Sequence, residues 1–162
     1  MSAKSNKDSS RKPGEIVNKK AYRDFYITER FEAGLSLAGS EVKSLRAGAA
    51  DIKGSYARIE ENQCWLVGAT IAHYEQATVF NHEPKRKRKL LLHKAQIRKI
   101  REKIEHRGFT LVPLRIYFNQ KSLAKIELAL ARGKRQYDKR RSIDEREQKK
   151  DIDRSMKKYR KN

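Results

Sequence analysis

A single cysteine, Cys64, stands in the 162 residues, so no internal disulfide framework exists and the composition fits a reducing compartment. No run of about 18 apolar residues occurs, so no segment is expected to span a membrane as a helix. Met1 to Gly14 lacks the apolar stretch of a signal peptide, and a cytoplasmic location is expected. Acids are also short: 20 Asp and Glu face 40 Lys and Arg, leaving a net charge of +20. The acids are scattered singly, without the cluster a metal-dependent nuclease needs. His73, His82, His93 and His106 show no metal-ligand spacing, and one cysteine completes no zinc site. No nucleophile motif and no phosphate-cradling glycine loop is present, so neither enzyme nor cofactor is expected.

The charge that is present is unevenly placed. Residues 1–20 carry +4, residues 85–107 carry +9 and residues 132–162 carry +8, while the remainder carries −1. A near-neutral body with three basic attachments is the electrostatic footprint of a polyanion binder. Counterion release would supply much of the affinity and make it salt-dependent. Hydrophobic residues amount to 37%, enough for one small core.

Residues 1–15 form a polar arm with Pro13-Gly14 and are expected to be disordered. From Tyr22 to Thr28 an aromatic-rich alternation predicts a strand, continued in kind by Leu35 to Gly39. Ser40 is expected to cap a short helix carrying Val42 and Leu45, stopped by Gly48. Tyr56–Glu60 and Gln63–Val67 read as a hairpin about Glu61-Asn62, with Thr70–Tyr74 continuing its second strand. Lys85–Lys89 reads as an exposed basic loop. Ile97, Ile100 and Ile104 are spaced as a helix ending at Gly108, and Phe109–Phe118 and Leu123–Ala131 as two strands. About six short antiparallel strands and two helices favour a small OB-like β-barrel over a sandwich, mainly β with short flanking helices, across residues 16–131.

Beyond Gly133 apolar residues thin out. Ile152, Met156 and Tyr159 share a helical face too thin to anchor to a core, so the basic tail 132–162 is expected to pass from disordered to helical on a polyanion. Phe25, Trp65 and Phe118, in predicted strands, are expected in the core. Tyr137, in a basic segment with no core to join, is a candidate for stacking on a base.

Several blocks together resemble the small protein B (SmpB) family. They are Asn18–Ala21, Phe31–Gly34, Gly39–Gly48, Ser55-Tyr56, Arg88–His93, Leu111–Leu114 and Gly133–Arg135 leading to Asp138–Arg140, in similar order and spacing from about residue 16 to the end. The resemblance implies an OB-like barrel that binds the tRNA-like domain of transfer-messenger RNA (tmRNA) in bacterial trans-translation. It also implies a tail lying in the empty mRNA channel of a stalled ribosome, substituting for codon–anticodon pairing at the decoding centre. Alanyl-tRNA synthetase and elongation factor Tu are implied as indirect partners through the tmRNA, with one protein monomer per tmRNA. The tmRNA-side residues it implies are Asn18, Lys19, Glu32, Glu41, Lys43, Tyr56, Arg86, Arg88, Lys89, Leu91 and His93. For the tail it implies Lys134, Arg135, Tyr137, Asp138, Lys139 and Arg140, Tyr137 standing where some relatives carry His.

Three alternatives stay open at this level. Glu32 and Glu41 either accept hydrogen bonds from RNA or orient a neighbouring Arg or Lys, and Leu91 has the core as its ordinary fate. A general basic OB-fold RNA-binding or ribosomal protein would share the charge map.

Overall fold

The computed structural model describes residues 14–76 and 81–135 together with Asp138, Glu147, Gln148, Ile152 and Met156. Its elements in chain order are β1 (Ile16–Val17), α1 (Lys19–Asp24), β2 (Phe25–Leu35), α2 (Gly39–Arg46), β3 (Ala50–Asp51) and β4 (Tyr56–Glu60). They continue with β5 (Gln63–Val67), β6 (Thr70–Ile71), β7 (Arg88–Leu91), α3 (Lys94–Arg107), β8 (Thr110–Phe118) and β9 (Ala124–Gly133). The sheet runs β1-β8-β4-β5-β7-β2-β9, every pairing is antiparallel, and a further β8–β9 pairing closes β8 through β9 into a ring, with the two-residue β1 added on β8. The ring realises the mainly-β, OB-like architecture expected from the strand pattern. Closure leaves little open edge.

Alternation explains why the ring fills. Along β2, Phe31, Ala33 and Leu35 point inward; Cys64 and Leu66 do so on β5 and Leu90 on β7. Each large inward side chain that is fully buried contributes roughly 1.5–3 kcal/mol. On α3, Ile100 is fully buried in the core cluster and Ile97 is nearly buried. Gly108 ends that helix at a φ of 62°, left-handed backbone that glycine adopts without penalty.

β8 and β9 are buried on both faces, so they read as unbroken apolar runs. Leu111, Leu128 and Leu130 fill the ring, while Val112, Leu114, Ala129 and Ala131 pack beneath α1 with Ala21. The small alanines leave room for the helix. Pro113 has no N–H to give the ladder and sits where the β8–β9 register shifts, between Pro113 and Arg115.

Several expectations need correction. Tyr22–Asp24 belongs to α1 and not to a strand, because Asn18 caps a helical turn whose Ala21 is buried. The N-cap of α2 is Ala38; Ser40 Oγ lies instead 3.0 Å from His82 Nδ1. β6 does not prolong β5: the chain turns at Gly68, with φ of 77°, and pairs with β3 in a separate two-stranded sheet. Nine strands and three helices are present among the described residues, three of the strands being two-residue bridges.

Arg88 and Lys89 of the expected loop begin β7, and Arg88 is fully buried. Phe25 and Phe118 pack against the core, but Trp65 does not; it stands half-buried on the ring's outer face. β9 runs on to Gly133, two residues past the expected boundary. The arm up to residue 13 lies outside the described residues, as does most of the tail, whose five described positions beyond Arg135 are helical.

Candidate nucleic-acid interface

The sequence-implied residues separate into a buried set and an outward set. Glu41, on the first turn of α2, is fully buried. Its Oε2 accepts the Ala38 N–H at 2.8 Å, and its Oε1 accepts Arg86 Nε at 2.8 Å and Arg88 Nε at 2.9 Å. Arg86 Nη2 also donates to Oε2. Burial pushes the carboxyl up, but the bonds from Arg86 and Ala38 and the charge of Arg88 outweigh it, so Glu41 lies below the usual carboxylate range.

Arg88 spends its other donors on the carbonyls of Ala69 at 2.8 Å, Arg86 at 3.0 Å and Pro84 at 2.8 Å. One buried ion pair thus bolts the 84–88 segment to α2 and to the start of β6. Of the open alternatives for Glu41, the geometry matches orientation of neighbouring arginines. Arg88 faces no solvent; Arg86, with 35% of its side chain exposed, does.

Asn18 is likewise internal, at 3% exposure. Its Oδ1 accepts the Ala21 N–H at 3.1 Å, and its Nδ2 donates to Ile52 O at 3.2 Å and Pro113 O at 2.9 Å. Its backbone N–H donates to Leu114 O at 2.7 Å. The side chain therefore caps α1 and satisfies the carbonyl of Ile52 and that of Pro113, the latter at the β8–β9 register shift.

The outward set lies on the ring's surface. Glu32, on β2, accepts from Tyr117 of β8 and from Lys125 of β9, the latter at 3.2 Å. The Tyr117 hydrogen bond, joined by Lys125, draws the Glu32 carboxyl below its ordinary value. Burial and the same carboxylate push the Tyr117 hydroxyl up to about 12. Leu91 is 55% exposed and lies beside Gly34 across the β2–β7 pairing, so the apolar triplet does not take it into the core.

Lys19, Lys43, Tyr56 and His93 are exposed, with Lys43 Nζ 5.3 Å from the centre of the Tyr74 ring. Lys89 pairs with Trp65, and Trp65 with Arg58, giving a row of cation, aromatic and cation across three strands. Lys134 and Arg135 follow β9, and the Lys134 N–H donates to Asp24 O at 2.9 Å. Asp138 is helical, and Tyr137, Lys139 and Arg140 lie outside the described residues.

On the outer face, Arg58 and Lys125 are not singled out by the sequence, Tyr117 reads only as a strand aromatic, and Trp65 was expected in the core. The phase of the β4–β5 hairpin holds the signal for two of them. Once Cys64 and Leu66 are assigned inward, Trp65 must point outward. Among the described residues no three His, Cys, Asp or Glu side chains group to hold a metal ion, and no helix is long and apolar enough to cross a membrane.

A small, basic, closed-ring β-domain with cations and half-exposed aromatics on its outer face is of the class that meets nucleic acid. The comparisons narrow the class. The model of the SmpB protein family matches residues 15–158. The chain is 51% identical over 139 residues to the SsrA-binding protein of Symbiobacterium thermophilum, covering 86% of this chain and 88% of that one. It is 48% identical over 157 residues to the SsrA-binding protein of Syntrophobacter fumaroxidans, covering 96% and 97%. A solved structure, "tmRNA-SmpB: a journey to the center of the bacterial ribosome", is 47% identical with a TM-score of 0.65, covering 80% of this chain and 94% of that chain. The chain belongs to the SmpB family.

Proposed function

We propose that this chain is an RNA-binding protein of trans-translation. It binds the tRNA-like domain of tmRNA with its ring and delivers the RNA to stalled ribosomes for nascent-chain tagging and ribosome rescue. The observation that carries the reading is the family match across residues 15–158, with a solved relative at 47% identity whose name pairs tmRNA with SmpB and the bacterial ribosome. The division of residues supports it. Lys19, Glu32, Lys43, Tyr56, Arg86, Lys89, Leu91 and His93 are the surface set offered to tmRNA, whereas Asn18, Glu41 and Arg88 hold the frame. Phosphate contacts from the cations would position the RNA, and Leu91 and Tyr56 would pack on its sugars or bases.

The tail, with Lys134, Arg135, Tyr137, Asp138, Lys139 and Arg140, acts at the decoding centre and in the mRNA channel of the small subunit, in place of codon–anticodon pairing. Its many cations suit an RNA-lined channel. Ile152 and Met156 are helical and 57% and 66% exposed, apolar side chains that a partner would cover.

The test is binding of the full chain to tmRNA with full-length tRNA as competitor at about 0.15 M salt, where nonspecific phosphate contacts are weakened. Preference for tmRNA, weakened by Leu91→Ala, supports the reading; equal binding reduces the protein to a general basic RNA binder. Cutting after Gly133 should leave tmRNA binding in place and abolish tagging. Retained tagging would remove the tail from the mechanism.

A further inference from the structure

The β2–β9 ladder does not stop where β9 stops. Gly133 stands opposite Phe25, and the Lys134 N–H carries the ladder one step further, donating to Asp24 O at 2.9 Å. Asp24 ends α1, so its carbonyl has no later helical turn to serve and is open to this bond. The backbone of the first residue past the strand is thereby fixed.

Side-chain alternation decides what that residue meets. Tyr26 faces Arg132 across the pairing, and Lys134, two residues on, lies diagonal to Tyr26 on the same face. Lys134 Nζ stands 4.9 Å from the centre of the Tyr26 aromatic ring, whose negative face attracts a cation. Among the described residues no carboxylate pairs with this ammonium, so the aromatic ring is its anchor. Tyr26 is 50% exposed and belongs to neither core cluster, so packing of the fold does not account for an aromatic side chain there.

The lead from this anchor to the tail's helix is short. Asp138, four residues beyond Lys134, is already helical. Four extended residues span at most about 14 Å. Holding Lys134 by both backbone and side chain thus limits where the helix can begin. It also removes directions that binding would otherwise have to select against.

We propose that Tyr26 is a positioning residue: its aromatic ring holds the Lys134 side chain and so sets the direction of the basic tail before the ribosome is met. The proposal rests on the trans-translation reading above and adds what orients the tail. Tyr26 acts through Lys134 and does not itself touch RNA.

The experiment uses the full chain with Tyr26→Phe, which keeps the aromatic face, and Tyr26→Leu, which keeps apolar bulk without it. By nuclear magnetic resonance, the Lys134 methylene protons next to Nζ should lie upfield of those of exposed lysines in the parent and in Tyr26→Phe. In Tyr26→Leu that displacement should vanish, and exchange of the Lys134 amide should quicken about two- to fivefold, the factor an exposed cation–π contact supplies. Tagging on stalled ribosomes, with the protein–tmRNA complex limiting, should fall by a similar factor in Tyr26→Leu and hold in Tyr26→Phe. Affinity for tmRNA should stay within about twofold of the parent in both.

Unshifted Lys134 protons in the parent chain would overturn the clamp without recourse to any variant. Parental tagging by Tyr26→Leu, or lost tagging by Tyr26→Phe, would overturn its role. A fall in tmRNA affinity matching the fall in tagging would put Tyr26 on the RNA instead. Failure of the trans-translation reading looks different: the parent chain, its Lys134 protons shifted, would support no tagging at all.

Discussion

Arg88 donates its Nε–H to Oε1 of Glu41 at 2.9 Å, and neither side chain exposes any surface. The pair closes a polar network inside a small core: Arg88 meets three carbonyls and Glu41 also takes Arg86 and the Ala38 N–H. Removing one member leaves the other charged, buried and uncompensated. Glu41→Ala should therefore cost about 3–5 kcal/mol of folding stability in urea or guanidinium titration. Glu41→Gln keeps acceptors and volume and should cost less. A change for Glu41→Ala no larger than that of a surface substitution would refute the network's role.

The same carboxylate sets an acid limit. Its pKa is lowered in the folded chain, so the unfolded chain binds the proton more tightly. Its stabilisation is complete above the unfolded carboxyl's value of about 4.3 and is lost as pH falls through the lower folded value. Glu41→Gln should flatten this part of the stability curve, measured by denaturation midpoints from pH 7 downward.

Asn18 makes a second structural prediction. Asn18→Ala strips a helix cap and leaves the carbonyls of Ile52 and Pro113 without their donor, so stability should fall by about 1–3 kcal/mol. Weakened tmRNA binding by this variant should track the fraction unfolded and recover under conditions that restore folding. Thermal unfolding run beside binding checks it. A fully folded variant that still bound poorly would return Asn18 to the interface.

These two residues mark where the sequence stopped being legible. The β4–β5 hairpin, α3 and the β8–β9 pair were readable because their signals are local: alternation about Glu61-Asn62, isoleucines at helical spacing, long apolar runs. Arg88 sits in a run of five cations and looks solvated, since its partner is 47 positions away in sequence. Asn18 looks like an ordinary polar residue because the Pro113 carbonyl it satisfies is 95 positions away. The aromatic alternation at Tyr22–Thr28 resembles a strand, and only burial of Ala21 beneath a cap selects the helix. Cation positions were legible; which cations face solvent was a tertiary matter.

Glu32 and Tyr117 are coupled across the outer face. Glu32→Gln removes the charge that raises the tyrosine, so the Tyr117 titration should move down from about 12. It should remain above an ordinary tyrosine, because burial is the leading cause of the shift. Stability should change by no more than about 1 kcal/mol, as for other exposed pairs. Tyrosinate titration by ultraviolet absorbance in the two chains, with Tyr117→Phe as the assignment control, gives the comparison.

Gly34→Ala tests whether Leu91 works from the surface. A Cβ at Gly34 would come within 3.3 Å of both Leu91 Cβ and Leu91 Cδ1, closer than comfortable contact. Leu91 is 55% exposed and has open solvent to move into, so the fold should absorb the change within about 1 kcal/mol. The displaced side chain would no longer present the same surface. If Leu91 packs on tmRNA, affinity for tmRNA should fall in a chain of nearly parental stability, and Leu91→Ala should fall with it. The double variant should lose little more than either alone, because both act on one contact. Parental affinity in all three chains would show that the outward Leu91 serves some other end.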